Sequence, residues 1–433
     1  MGRRALLLSL ATLVGCSTIL YGRTSSAPAP AGARGAGLPR VEPPRPDADR
    51  LIRVAIRTSA NTVRISSTGG WRFYEADGQT FLAAGNANEP WRVEHAGRDV
   101  RAVRSDGMPT AWKADAIVAA PNDPADAMLV DGKPYRGTLR LVGADAGIVV
   151  IETVGVEQYL RGVVPLELGD NDPRDSSAIE AQAVAARSYT YTHLAEPEAD
   201  AYDVTASVDD QVYGGLDAET AAGNAAVAAT AGIVITYGGR VVNAPYHSTC
   251  GGETAAASEV WHSPDEPYLR PVSDRIPGTD RYYCEISPRF RWRRVLSASD
   301  LNGAVARYLA RYASVPGGDP GLVRDVMVVN RTESGRVGQL RVVTNLGSFV
   351  LRGNDMRYVL RPVGGEILNS TYFSVAVERT KSGELARLVL DGRGYGHGVG
   401  MCQWGAIGRA RAGQGFRAIL RTYYPGTALG VVQ

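Results

Sequence analysis

Ser177-Ala178-Ile179-Glu180-Ala181-Gln182-Ala183-Val184-Ala185-Ala186-Arg187-Ser188-Tyr189 is the stretch that decides how this chain is built. Alanines form helix without losing side-chain entropy, and Ser177 followed three residues later by Glu180 has the spacing of a capping box. Ala183, Ala186 and Thr190 recur at helical spacing, which predicts one buried face. Small side chains on that face let the helix approach a neighbour closely. Two readings of Arg187 stay open: a cation reaching toward an anionic or hydroxyl-rich ligand, or half of a structural ion pair.

Upstream, Val156-Glu157-Gln158-Tyr159-Leu160-Arg161-Gly162-Val163-Val164-Pro165-Leu166-Glu167 carries a proline expected to stop the element before it. Glu167 would then stand near an element end, where clefts are lined. From Leu51 to Val154 short β-branched runs, such as Ile52 to Ile56 and Thr62 to Ile65, alternate with Gly and Asp turns and predict β-structure. Downstream lies the polar run Val208-Asp209-Asp210-Gln211-Val212-Tyr213-Gly214-Gly215, then a helix from about Ala218 to Ala231. Ile233 to Tyr237, the Gly238-Gly239 turn and Val241 to Tyr246 read as a hairpin. It delivers Tyr246-His247-Ser248-Thr249-Cys250-Gly251-Gly252-Glu253-Thr254. Ala298 to Ala313 reads as helix and Val323 to Tyr358 as short strands. Helices over about Gln403 to Ala412 and Phe416 to Tyr423 close the chain. The pattern predicts an α+β fold, with short-stranded mixed sheets, a central Ala-rich helix and C-terminal helices around a cleft.

At the other end, Arg3 and Arg4 precede the apolar run Ala5 to Val14, the layout of a secretory signal. The run is too short to span a bilayer. It ends in Leu13-Val14-Gly15-Cys16-Ser17, which resembles a bacterial lipobox, so Cys16 is expected to carry lipid and anchor the protein to a membrane. An ordinary signal with an incidental Cys16 leads to the same export. The expected organisation is a lipoprotein signal over 1–22, a Pro- and Ala-rich tether over 23–49, a β-rich part over 50–153 and a core over 154–428. The tether composition buries too little apolar surface to fold. The 47 basic and 45 acidic residues leave a net charge of +2, which offers no footprint for nucleic acid. Tyrosine (20) and tryptophan (6) supply amphipathic rings suited to carbohydrate or to sheet edges.

Export permits disulfides, and of the four cysteines Cys250 and Cys284 are the candidate pair, leaving Cys402 over. A zinc site from His247, Cys250, His262 and Cys284 is the alternative, although their spacing matches no familiar finger. Gly392-Arg393-Gly394-Tyr395-Gly396-His397-Gly398-Val399-Gly400-Met401-Cys402-Gln403-Trp404-Gly405-Ala406 fits neither a phosphate loop nor a dinucleotide fingerprint. Its glycines suit either a binding loop that lets backbone approach a ligand or a tight structural crossing.

The segments Gly162 to Glu167, Ala181 to Tyr189, Gln211-Val212-Tyr213, Tyr246 to Thr254, Pro267-Tyr268-Leu269 and Gly392 to Ala406 occur in the same order in the stage II sporulation protein D (SpoIID/LytB) family, which this chain resembles over roughly residues 50 to 428. The resemblance implies a lytic transglycosylase acting on peptide-stripped peptidoglycan glycan, so the expected cleft is a glycan cleft. It makes Glu167 the catalytic acid and Arg187 a substrate-binding residue. Tyr189, Gln211, Tyr213, Tyr246, His247, Ser248, Tyr395, His397, Gln403 and Trp404 are the further candidates for the glycan site. Many relatives carry Lys where this chain has Glu180, and usually Ser where it has Cys402. Some members bind zinc and others do not; no cofactor is expected here.

Cleaving a glycosidic bond needs an acid for the leaving oxygen, and hydrolases add a second carboxylate, for which Asp209 and Asp210 are candidates. A lytic transglycosylase manages with one, because the muramic 6-hydroxyl attacks the anomeric carbon. Burial beside Val164 and Leu166 is expected to raise the Glu167 pKa. The rival readings are a Cys402/His397 amidase and a non-catalytic glycan-binding enhancer of a cell-wall amidase.

Overall fold

The computed structural model describes residues 50–169, 172–194 and 201–432. The signal, Cys16 and the 23–49 tether lie outside the described residues. Within them the chain forms α+β structure, with eight α-helices set among several small sheets. The helices are α1 (Val156–Leu168), α2 (Ser176–His193), α3 (Ala221–Ala229), α4 (Ala257–Val260), α5 (Ala298–Tyr308), α6 (Asp355–Val359), α7 (Gln403–Arg411) and α8 (Phe416–Tyr423). No helix of the described residues is long and apolar enough to cross a membrane.

Alternation of buried and exposed positions builds the first layers. In the strand Trp71–Glu75, Trp71 and Phe73 turn inward; in Trp91–Ala96, Trp91 and Val93 do. They come from two different sheets, of seven and six strands, and meet edge to face, the Trp71 and Phe73 ring centroids 4.8 Å apart and Phe73 and Trp91 5.7 Å apart. Such pairs add to the area they bury. In the seven-stranded sheet, Leu51–Arg57 pairs antiparallel with Gly147–Gly155 and parallel with Val204–Thr205. The expected boundary near residue 153 is therefore bridged: a strand from beyond α2 completes the N-terminal sheet.

The Ala-rich helix α2 is buried on two faces, not one. Ile179, Ala183 and Ala186 join the core of the two sheets, while Ala178, Ala181, Val184 and Ala185 join a second core with residues from the C-terminal helices. Helices packed all round need small, apolar side chains throughout, which explains the composition. The expected Ser177–Glu180 capping box does not form. The helix starts two residues earlier, behind a short 3-10 turn, with Asp175 rather than Ser177 as N-cap. The Asp175 carboxylate is held instead by Arg411 of α7, at 2.7 and 2.9 Å.

The predicted hairpin is shorter than its sequence suggested. Ile233–Tyr237 pairs with only Arg240–Val241 on one side, and its other edge takes the C-terminal strand Ala428–Val431. A third core, from Leu296 to Leu390, gathers α5, α6 and two three-stranded sheets. Sequence reasoning found α5 and the strands between Val323 and Arg352, read α6 as part of that strand segment, and gave no sign of the strands Arg291–Ser297, Phe373–Arg379 and Leu385–Arg393 or of a core of their own.

Candidate active site

Glu167 is the penultimate residue of α1, and Pro165 sits inside the last turn of that helix. The proline does not stop the helix, contrary to expectation. It costs one backbone bond near the end, and the turn is closed by Gly169 N–H donating to the Pro165 carbonyl at 3.0 Å. The Glu167 side chain bonds into the loop that follows α2, where Val212 N–H donates to Oε1 at 2.8 Å. The Gln403 side chain supplies a further hydrogen bond. Burial pushes the Glu167 carboxyl up to about 7 and outweighs both bonds, which favour the charged form.

Around the carboxyl lies a layer of amides and phenols. Gln211, wholly buried, donates to the Tyr246 hydroxyl at 3.0 Å and accepts from Thr190 at 2.9 Å and Tyr159 at 3.3 Å. Gln403 also donates to Gln182 of α2 at 3.4 Å. Burial holds the Tyr246 phenol well above its ordinary range, and the Glu167 charge adds to that.

Two distant segments must meet to build this layer. Tyr246–His247 pairs in parallel with Met401–Cys402, and α7 begins at Gln403, with the Cys402 Sγ accepting from Gly405 N–H at 3.3 Å as its cap. The glycine-rich segment before it is a tight structural crossing. Gly394, Gly396, Gly398 and Gly400 all take positive φ, and a Cβ on Gly394 would come within 2.7 Å of the Thr249 carbonyl, one on Gly396 within 2.9 Å of the His247 Cβ. Every second residue lacks a side chain because the loop lies against the protein's own backbone.

His397 pins that crossing. Its Nδ1 accepts from Val399 N–H at 3.1 Å, so Nε2 carries the proton that it donates to the Tyr246 carbonyl at 2.8 Å. Burial holds it neutral, well below its usual pKa. Both nitrogens are occupied, which leaves no base for a thiol, and Cys402 is itself wholly buried. The Cys402/His397 nucleophile reading is corrected on those grounds.

Arg187 is enclosed by the protein as well. It is 0% exposed and forms a bidentate pair with Glu157 at 2.7 Å on each arm, with the Ile233 and Val227 carbonyls as further acceptors. The structural ion pair is the reading that holds. Tyr213 donates to buried Glu152 at 3.1 Å, and Tyr189 donates to Asp210 at 3.0 Å. Asp210 further accepts from the backbone and hydroxyl of Thr205, both at 2.8 Å, so its role is to hold its own loop; Asp209 accepts from Ser207 at 3.4 Å. Tyr189, Gln211, Tyr213 and His247 are thus parts of the packed frame, whereas Ser248, Tyr395, His397 and Trp404 keep partial exposure. Arg289 lies over the Tyr395 ring at 4.2 Å.

The cysteines depart from expectation. Cys250, Cys284 and Cys402 are all free and buried, the first two with sulfurs 3.4 Å apart. Neither the Cys250–Cys284 disulfide nor the four-residue zinc set is formed. His262 lies elsewhere, bonded to Asp355 at 2.9 Å, and Asp274 takes its place beside the three thiols, all four donor atoms within 4.8 Å of one another. No pattern near Asp274 marks it in the sequence. Glu152 was equally invisible: its position in a strand gives no sign that burial pushes its carboxyl up to about 8.

Two concavities lie on the third core's side of the molecule. One of about 400 Å³ is lined by Trp261, His262, Arg331 and Arg352; the other, of about 530 Å³, by Trp292, Tyr372, Arg291 and Arg393.

A profile described as Stage II sporulation protein matches residues 144–237, the span that holds Glu167, α2 and Val212. One described as a domain of unknown function matches residues 276–400, which contains the third core. An uncharacterized protein of Brachyspira hyodysenteriae is 30% identical over 302 residues, 70% of this chain and 73% of that protein. The amidase enhancer of Bacillus subtilis is 27% identical over 341 residues, 69% of this chain but only 44% of its own length. Stage II sporulation protein D of Bacillus subtilis is 28% identical over 297 residues, 64% of this chain and 75% of its own.

Proposed function

The chain belongs to the stage II sporulation protein D family, and on that premise we propose that it is a cell-envelope lytic transglycosylase that cleaves peptidoglycan glycan strands with Glu167 as its one catalytic carboxyl. The observation that carries the reading is the state of that carboxyl: set at a helix end, braced by Val212 and Gln403, and raised to about 7 by burial. A group poised near neutral pH is both a competent acid and a competent base. With Oε1 taken by Val212 N–H, the other oxygen is the one to carry the proton. It protonates the leaving glycosidic oxygen as the anomeric C–O bond breaks. The muramic 6-hydroxyl then adds to the anomeric carbon and returns its proton to Glu167, giving a 1,6-anhydro end. No second carboxylate is consumed, in keeping with Asp210 being tied into its own loop. Gln403, Trp404, Tyr246, Ser248, Tyr395 and His397 would line or support the glycan site, and Cys16 would anchor the enzyme to a membrane.

A second reading, a non-catalytic glycan-binding enhancer of a wall amidase, is favoured by the arginine- and tryptophan-lined concavities, whose linings do not include Glu167. Mass spectrometry of peptide-free glycan strands incubated with wild type and with Glu167→Gln separates the two. Anhydro-ended fragments from the wild type alone are expected. Binding without cleavage by either protein would transfer the assignment to the enhancer, and reducing ends would require a hydrolase.

A further inference from the structure

We propose that Cys250, Cys284 and Cys402, with Asp274 as fourth donor, form a structural zinc site that locks the base of the glycine-rich crossing. Three segments converge there: the residues after the Tyr246–His247 strand, the loop carrying Asp274 and Cys284, and the start of α7. Zinc bound by thiolates at about 2.3 Å sets its sulfurs about 3.8 Å apart on the edges of a tetrahedron. The Cys250 and Cys284 sulfurs stand 3.4 Å apart, and the whole set lies within 4.8 Å. A disulfide would use two of the three thiols and leave the last one buried beside it without a purpose.

The surroundings are those that hold and tune metal ligands. Asp274 Oδ1 accepts from the Tyr423 hydroxyl at 2.8 Å and from Arg409 at 3.0 and 3.2 Å, while Oδ2 accepts from Cys284 N–H at 2.9 Å and faces the Cys250 sulfur. Cys402 Sγ accepts two backbone N–H bonds, from Cys250 at 3.1 Å and Gly405 at 3.3 Å, as a thiolate would. His247 gives a separate sign. Its Nδ1 lies 3.1 Å from the Val399 carbonyl and so donates, which leaves the lone pair of the buried Nε2 to face the Cys250 sulfur. A neutral imidazole held in that tautomer beside a thiolate ligand is a neighbour that supports a metal site from outside its ligand set.

Charge closes the case. Three thiolates, one carboxylate and Zn²⁺ sum to two negative charges. Two buried guanidinium groups answer them. Arg409 pairs with Asp274, and Arg336, 2% exposed, reaches the Cys250 carbonyl at 2.9 Å while its Nε and Nη1 have no hydrogen-bond partner. With a disulfide and a neutral thiol in place of the metal, Arg409 would keep Asp274, and Arg336 would keep Glu259 but lose the charge of the sulfurs beside it.

The test uses the full chain purified under reducing conditions without chelator. Elemental analysis should find about one zinc ion per chain, and X-ray absorption at the zinc edge should show a sulfur shell at about 2.3 Å. Replacement by Co²⁺ should give the intense near-ultraviolet thiolate bands of a tetrahedral site in wild type and His262→Ala, and weakened bands in Cys402→Ser. The absorption measurement needs no variant, so a Cys402→Ser protein that fails to fold does not decide the matter. A metal shell of nitrogen and oxygen alone, or no bound metal with three titratable thiols, would overturn the proposal. So would a Cys250–Cys284 disulfide found by peptide mapping of the exported chain purified in parallel without reductant.

Discussion

Glu167 and Glu152 are both carboxyls that burial makes reluctant to ionise, and pH separates what each does. In the proposed reaction Glu167, raised to about 7, starts in its protonated form. Cleavage of glycan is therefore expected to fall as pH rises through about 7, a limb that should vanish from binding measurements made on the same protein. Glu152 lies under Tyr213 with its second oxygen unpartnered and is raised to about 8. The folded chain keeps this proton up to about 8, whereas the unfolded chain releases it near the ordinary 4.5. Between those values the folded state binds more protons, so its stability declines with rising pH, by at most about 1.4 kcal/mol per pH unit from this group. Glu152→Gln should flatten that slope in urea unfolding followed from pH 5 to pH 8; an unchanged slope would mean the carboxyl is ionised in place. Arg187 belongs to stability alone. Arg187→Ala leaves Glu157 facing a buried vacancy and should cost on the order of 3 kcal/mol, seen as a lowered melting temperature with glycan affinity unaltered where the protein is still folded. Lost affinity at an unchanged melting temperature would return Arg187 to the substrate site.

Elements whose signals are local were legible, and those decided by distant contacts were not. Helices α2, α7 and α8 follow from alanine content and 3.6-residue spacing. The start of α2 did not follow: it lies at Asp175, which makes no side-chain cap bond and whose carboxylate is held by Arg411, more than two hundred residues later in the chain. That Glu167 stands at an element end was legible, since a carboxylate beside Pro165 is a local feature. Which of the two readings of Arg187 applies was not, because its partner Glu157 lies on another helix and nothing in the spacing couples them. The glycine-rich crossing shows the same limit: alternate glycines announce close approach without saying to what. Gly400 has φ of +71°, and a methyl group there would run into the Pro245 carbonyl. Gly400→Ala should therefore destabilise the protein by 2 kcal/mol or more, combining backbone strain of about 1 kcal/mol or more with a steric clash. It should also reduce cleavage, by displacing Gln403, in a protein whose circular dichroism remains helical. Full activity and stability in that variant would contradict the crossing described above.

At the scale of the molecule, three cores share one chain, and the third is contributed by the segment from Leu296 to Leu390. Its strands pair only among themselves: Arg291–Ser297, Phe373–Arg379 and Leu385–Arg393 in one sheet, Val323–Arg331, Val337–Thr344 and Ser348–Arg352 in the other. Units with their own core open with their own free energy. Hydrogen exchange followed by mass spectrometry should show these strands exchanging as one group, at a rate distinct from that of α2; exchange in step with α2 would mean a single cooperative unit. The parallel pairing of Tyr246–His247 with Met401–Cys402 has a consequence for timing. Glu167 is synthesised more than two hundred residues ahead of Gln403, and contacts between segments so far apart in sequence close late. The carboxyl thus waits through the synthesis of everything between them for the amide that braces it, and a chain cut ahead of Gln403 would hold Glu167 without that bond.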